Sequence, residues 1–224
     1  MSESTVSVII PTMNEEKSVG LVIEEVRDAF AGKRETEILV VDTNSEDRTK
    51  EIAASLGAIV LDEPRRGYGR AYRTGFENAK GEFIATLDAD MTYPATDLPG
   101  LVDMLDVEGL DFITTNRFAR MEKGAMRTKH RIGNWVLSTA TRLLFRVRVR
   151  DSQSGMWVFR RSVLDVVKLE SLGMAMSEEI KIEAFRKARA KEVPITYRAR
   201  IGEVKLNSWR DGLGNLKFLF RKRF

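Results

Sequence analysis

The chain has 224 residues, 43% of them apolar and 31% charged, which is long enough for a sizeable core and too apolar for a disordered segment. It contains no cysteine and one histidine, His130, so disulfides, thiolate sites and clusters of imidazole ligands are excluded, and any bound metal must be held mainly by oxygen. Net charge is only +4, yet residues 1–116 carry 11 basic and 23 acidic side chains and residues 117–224 carry 26 and 10, which points to an anionic partner for the second half.

Met1-Ser2-Glu3-Ser4 lacks a basic leader, so no signal peptide is expected. No apolar run approaches the roughly 18 residues of a membrane span. Val6-Ser7-Val8-Ile9-Ile10 is short and β-branched, which predicts a buried strand. Val19, Val22, Ile23, Val26 and Phe30 fall at helical spacing. Ile38–Val41 reads as a second strand ending at Asp42, and Ser45 is a candidate cap for a helix over 47–56. Gly57 stops that helix, Ala58–Leu61 follows as a strand, 68–80 as a helix, and Phe83–Leu87 as a fourth strand ending at Asp88.

This βαβαβαβ order predicts a parallel sheet with helices on both faces. Ligands of such sheets sit at the carboxyl ends of the strands. Asn14 and Glu15, Asp42, and Asp88 with Asp90 are therefore the first candidates. Beyond residue 110 the rhythm loosens into strands near 111–115, 157–159 and 195–197, and helices over 132–145, 178–190 and 206–220. Phe118, Trp135 and Phe145 are expected in the core.

Asp88-Ala89-Asp90 carries the clearest chemistry. In extended chain, residues i and i+2 project to one side, so two carboxylates can face one hard cation, Mg²⁺ or Mn²⁺, that also takes diphosphate oxygens. A plain surface turn is the bland alternative. Asp42 can accept hydrogen bonds from a nucleobase or ribose, or simply serve its own loop. Gly67-Tyr68-Gly69 lacks the third glycine of a dinucleotide fingerprint, and there is no P-loop or nucleophile elbow. Residues 117–150 hold 10 basic side chains against Glu122 alone. Arg117, Arg127, Lys129, Arg131 and Arg150 could grip an anionic acceptor through charge-assisted bonds, and nucleic acid is not expected as a partner.

Together, Val8-Ile9-Ile10-Pro11-Thr12-Met13-Asn14-Glu15, Val40-Val41-Asp42-Thr43-Asn44-Ser45 and Asp88-Ala89-Asp90 resemble glycosyltransferase family 2. Asn116-Arg117-Phe118, Asp151–Met156 and Arg200–Leu206 resemble its dolichol-phosphate mannose synthase and polyprenyl-phosphate branch. The resemblance implies a GT-A fold: a Rossmann-like, mostly parallel α/β sheet. It implies a catalytic domain over 1–205, with a nucleotide-binding half at 1–116 and an acceptor half at 117–205, then a basic amphipathic helix over 206–224.

The implied reaction is inverting transfer of a hexose from a GDP-mannose or UDP-glucose type donor to a polyprenyl or dolichyl phosphate. Pro11, Thr12, Asn14, Glu15, Val40, Asp42, Asp88, Ala89, Asp90, Arg200 and Lys205 would hold the nucleotide sugar. Asp88 and Asp90 would meet the metal, Arg117 and Arg131 the acceptor phosphate, and Asp90 and Asp151 would be the catalytic carboxylates. The alternatives are a glycosyltransferase for a soluble phosphorylated acceptor and a non-catalytic sugar-nucleotide or membrane-surface module.

Leu206, Trp209, Leu213, Leu216 and Phe220 form a stripe beside Arg210, Lys217 and Arg221–Arg223. Such a helix either lies on an anionic bilayer or packs on the core. The first option implies a peripheral protein on the cytoplasmic membrane face.

Overall fold

The computed structural model describes residues 5–202 and 208–224. Its first half follows the expected alternation: β1 (Val6–Thr12), α1 (Val19–Phe30), β2 (Thr36–Asp42), α2 (Thr49–Ser55), β3 (Ile59–Asp62), α3 (Tyr68–Asn78) and β4 (Phe83–Thr86). Next come α4 (Leu98–Val107), β5 (Phe112–Met121), α5 (Thr128–Phe145), β6 (Trp157–Arg160), α6 (Met176–Lys187), β7 (Ala190–Tyr197) and α7 (Ser208–Arg223).

Among the described residues the strands form one seven-stranded sheet in the order β3-β2-β1-β4-β6-β5-β7. β1 to β4 pair in parallel, as do β5 and β7, and β6 runs antiparallel to β4 and β5. The order reverses between β1 and β4, so a crevice opens at their carboxyl ends.

Side-chain alternation along β1 divides the core. Val8 and Ile10 join Ile23 and Val26 of α1 and Leu101 and Leu105 of α4, while Ile9 meets Tyr72 and Phe76 of α3 and Ile180 of α6 on the other face. Gly75 lets α3 lie against β1, since a Cβ there would stand 2.5 Å from Ile9 Cγ2. A smaller cluster joins Leu137 and Phe145 of α5, Ile182 of α6 and Leu219 of α7.

Three expectations are corrected. Ser45 caps no helix; its hydroxyl is spent on Asp42, and α2 starts four residues later. Trp135 is 62% exposed rather than core, because α5 buries Leu137, Ser138, Thr141 and Phe145 instead. On α7 the buried side chains are Asn215, Phe218 and Leu219, while Leu213 and Phe220 of the predicted stripe are exposed. Leu206 lies outside the described residues.

Candidate active site

β1 and β2 deliver the first group of polar residues. Asp42 is buried at the end of β2, where Oδ2 accepts from Thr12 Oγ1 at 3.0 Å and from Ser45 Oγ at 2.5 Å, and Oδ1 accepts the Ser45 N–H at 2.9 Å. Asn14, in the left-handed region at φ 54°, donates its N–H to Ser45 Oγ at 2.8 Å and accepts the Glu46 N–H at 2.7 Å. The Glu15 N–H reaches Thr49 Oγ1 at 2.7 Å. These bonds lock the β1 and β2 ends into one rim. Val40 is fully buried in the sheet, so only its backbone can serve a ligand; Pro11 is partly exposed beside it.

The two aspartates after β4 differ. Asp90 is buried; its Oδ1 takes the Thr92 N–H at 3.0 Å and the Thr92 hydroxyl at 2.5 Å, and Oδ2 pairs with Arg200 Nη2 at 2.6 Å. The Ile201 N–H donates to the Asp90 carbonyl at 3.0 Å, so the segment around Arg200 lies across this turn. Among the described residues, Asp88 receives one long hydrogen-bond contact, 3.4 Å, from the Tyr68 hydroxyl. Burial and then the neighbouring Asp90 charge push its carboxyl up to about 7. Space beside it is kept open by Gly155: a Cβ there would stand 2.5 Å from the Tyr68 hydroxyl oxygen and 3.3 Å from Asp88 Oδ1.

This donor set suits a hard divalent cation. Two carboxylates lie two residues apart, and a nearby positive charge would favour ionised Asp88. Among the described residues no group of three or more acidic or imidazole side chains surrounds a common point, so a cation here would draw its remaining ligands from phosphate and water.

Asp151 and Arg117, expected in separate roles, occupy one buried ion pair. Arg117 Nε meets Asp151 Oδ2 and Nη2 meets Oδ1, each at 2.8 Å, and the Arg117 N–H adds a third bond at 3.0 Å. Burial alone would raise the Asp151 carboxyl, but the Arg117 charge and hydrogen bonds overcome it and hold the group below its usual range. The Arg117 guanidinium also sits 5.3 Å from the Tyr197 ring centroid. Arg131 is not brought to this pair: it is exposed in the first turns of α5. Lys205 lies outside the described residues.

Several site-forming residues escaped the sequence reading. Lys181, fully buried on α6, donates to the carbonyls of Asp151, Ser152 and Ser154 at 3.1, 2.9 and 2.6 Å. Burial pulls its ammonium down to about 7, while three carbonyl acceptors use all three of its N–H bonds. A lysine between Ile180 and Ile182 in an apolar helix face was the available signal. Gly155, Tyr68 and Tyr93, whose hydroxyl accepts the Gly155 N–H at 2.7 Å, were also missed as neighbours of Asp88. Glu178 was not among the missed residues, since its place ahead of Ile180-Lys181-Ile182 makes it a candidate for the sugar pocket or for a helix-start charge; it is fully buried, accepts from Gln153 Nε2 at 2.8 Å through Oε2, and its Oε1 has no partner among the described residues.

Comparison with known proteins places the chain in a family. Residues 7–167 match the model of glycosyl transferase family 2, a span that runs from within β1 through β6 and holds both aspartates. The chain belongs to that family. Among family relatives, it is 38% identical over 218 residues to the low-salt glycan biosynthesis hexosyltransferase Agl6 of Haloferax volcanii, covering 96% of this chain and 53% of that protein. This family member thus spans about half the length of that relative. It is 34% identical over 210 residues to the dolichyl-phosphate hexose transferase of the same organism, covering 92% of this chain and 88% of the relative. The glucosyl-3-phosphoglycerate synthase of Mycobacterium tuberculosis, solved with Mn²⁺, UDP-glucose and phosphoglyceric acid, superposes with a TM-score of 0.74 at 21% identity over 98% of this chain and 79% of its own. The family member therefore shares the GT-A fold with that synthase, a mixed α/β sheet that is mostly parallel.

Proposed function

We propose that this glycosyltransferase moves a hexose, with inversion, from a nucleotide-diphosphate sugar to a polyprenyl or dolichyl phosphate at the cytoplasmic face of a membrane. The carrying observation is the meeting of Asp88, Asp90 and Arg200 at the crevice between β1 and β4. The relatives, one of them a dolichyl-phosphate hexose transferase, support the acceptor class.

The nucleoside would lie on the rim formed by Pro11, Thr12, Asn14, Glu15, the Val40 backbone and Asp42. Asp88 and Asp90, with the Ala89 backbone between them, would hold Mg²⁺ or Mn²⁺, which supplies positive charge against the diphosphate. Arg200 now spends its guanidinium on Asp90 and stands ready to exchange that carboxylate for a phosphate oxygen. Lys205 would act beside it.

In the transfer step an acceptor phosphate oxygen forms a bond to the sugar anomeric carbon as the bond from that carbon to the diphosphate breaks. The leaving electron pair goes to the diphosphate, where Arg200 would balance it. A phosphate is already anionic near pH 7 and needs no general base. Asp151 then acts by fixing Arg117, and Arg131 would receive the acceptor phosphate as it arrives.

The test is transfer from labelled UDP-glucose and GDP-mannose, with Mn²⁺, to a polyprenyl phosphate or to phosphoglyceric acid. Label that partitions into organic solvent supports the reading. Label found only in a water-soluble glycoside rejects the lipid acceptor, and absence of any transfer or donor hydrolysis leaves a binding module.

A further inference from the structure

Lys181 stands between Ile180 and Ile182 on α6 and is fully buried, with Nζ 6.0 Å from the Trp157 ring centroid. A buried ammonium is costly unless its hydrogen bonds are made. All three are made here, to the carbonyls of Asp151, Ser152 and Ser154. The segment 151–154 is irregular and has no ladder to pair its carbonyls, so the ammonium does for it what a neighbouring strand would do. Two other elements hold the same segment by its N–H groups. Ser138 Oγ of α5 accepts from Ser152, and Glu192 Oε1 of β7 accepts from Asp151, each at 2.9 Å.

What this segment carries is the partner of Arg117. The Asp151 backbone is tied to Lys181, while its carboxylate is tied to the Arg117 guanidinium. β4 and β5 both run opposite to β6, and Ala85 and Ile113 both stand opposite Val158. Arg117 follows Ile113 along β5 as Asp88 follows Ala85 beyond β4, so the two leave the sheet at the same end. The donor side of that end is held by other means. Gly155 gives its N–H to the Tyr93 hydroxyl at 2.7 Å, and its carbonyl accepts from the Thr86 hydroxyl at 2.8 Å. The rim beside Asp42 is bonded within residues 12–15 and 42–49. Loss of the Lys181 ammonium would therefore free 151–154 and leave Gly155 and the rim in place.

We infer that Lys181 is a positioning residue for the acceptor: by fixing three carbonyls of the segment 151–154 it sets Asp151, and through it Arg117, where the acceptor phosphate arrives, and it does not act on the nucleotide sugar. The identity of the acceptor rests on the transfer reading given above. A lysine that only stabilised the fold would serve both substrates alike; one that holds the acceptor arm alone serves one of them.

The experiment compares the full native chain with K181M, an apolar side chain of similar length, and K181Q, which keeps two N–H donors. Circular dichroism establishes which variants fold, and K181Q carries the comparison if K181M does not. Calorimetry gives the Kd of UDP and of GDP in the presence of Mn²⁺. Kinetics give kcat/KM for a short prenyl phosphate and for phosphoglyceric acid. Acceptor kcat/KM should fall about 100-fold in K181M and less in K181Q, the scale of a misplacement near 1 Å, with nucleotide Kd unchanged within about twofold. Because the chain has no cysteine of its own, K181C can be alkylated with bromoethylamine while unfolded and then refolded. This returns an ammonium at lysine length and should restore acceptor kcat/KM to that of native protein taken through the same cycle. Equal losses in nucleotide binding and acceptor kcat/KM, or no loss in either, overturn the role, as does an aminoethylated protein that stays impaired. A native chain that binds nucleotide yet transfers to neither acceptor rejects the transfer reading itself, and the role of Lys181 with it.

Discussion

Arg117 and Asp151 form a two-pronged ion pair, both contacts at 2.8 Å, with the Asp151 side chain fully buried. One residue was expected to grip an acceptor and the other to act on it; in the folded chain each is the other's partner. Removing one leaves a buried charge uncompensated, a loss of about 3–5 kcal/mol. R117A is accordingly expected to lose that much in urea unfolding. Because the Asp151 carboxyl is held below its usual range, the pair stabilises the fold above that range, and this is lost as pH falls through the lowered value. The gap between wild type and R117A should narrow in acid.

Asp90 should separate chemistry from folding. Its partner Arg200 keeps a 25% exposed side chain, so the guanidinium can return to water when the carboxylate is gone. D90A is expected to keep the wild-type circular dichroism spectrum while turnover with Mn²⁺ drops about 100- to 1,000-fold or more, the scale of losing a group that stabilises transition-state charge. Wild-type turnover undiminished by excess chelator would remove the cation from the account.

Arg131 is exposed near the start of α5. R131A should raise the acceptor KM about tenfold, the worth of one exposed charge-assisted contact, with donor KM and melting temperature unchanged. Steady-state kinetics with each substrate varied in turn would register the split.

Glu178 gives a pH signature in stability. Burial pushes its carboxyl up to about 8, and one oxygen lacks a partner among the described residues. The native state therefore holds a proton that the unfolded chain releases at ordinary carboxylate pH. Stability contributed by this group should fall as pH rises from the usual carboxylate range toward 8. E178Q, which resembles the protonated form, should flatten that decline in melting temperature between pH 5 and 8.5.

The first half of the molecule was legible because short β-branched runs alternate with helical stripes, and because strand ends announce themselves with Asp42 and Asp88. Asp88-Ala89-Asp90 could be placed at the crevice from strand order alone. Partnerships across the chain were not legible. Nothing local tells that Arg117 will find Asp151, 34 residues on, or that Lys181 will hold the loop that carries it. The stripes on α5 and α7 were read correctly as helical, but periodicity does not say which side faces the core. That was decided by Leu137, Phe145 and Leu219 filling the shared cluster, which left Trp135 and Leu143 outside. α4 escaped notice because Pro99 and Gly100 near its start obscure an otherwise regular pattern.

The most direct test is a crystal soaked with Mn²⁺ and a nucleoside diphosphate, with data collected at the manganese edge. The account predicts one anomalous peak bounded by Asp88, Asp90 and the diphosphate, the base against the Asp42 rim, and Arg200 turned from Asp90 to phosphate. A nucleotide bound elsewhere, or manganese density away from both aspartates, would contradict it.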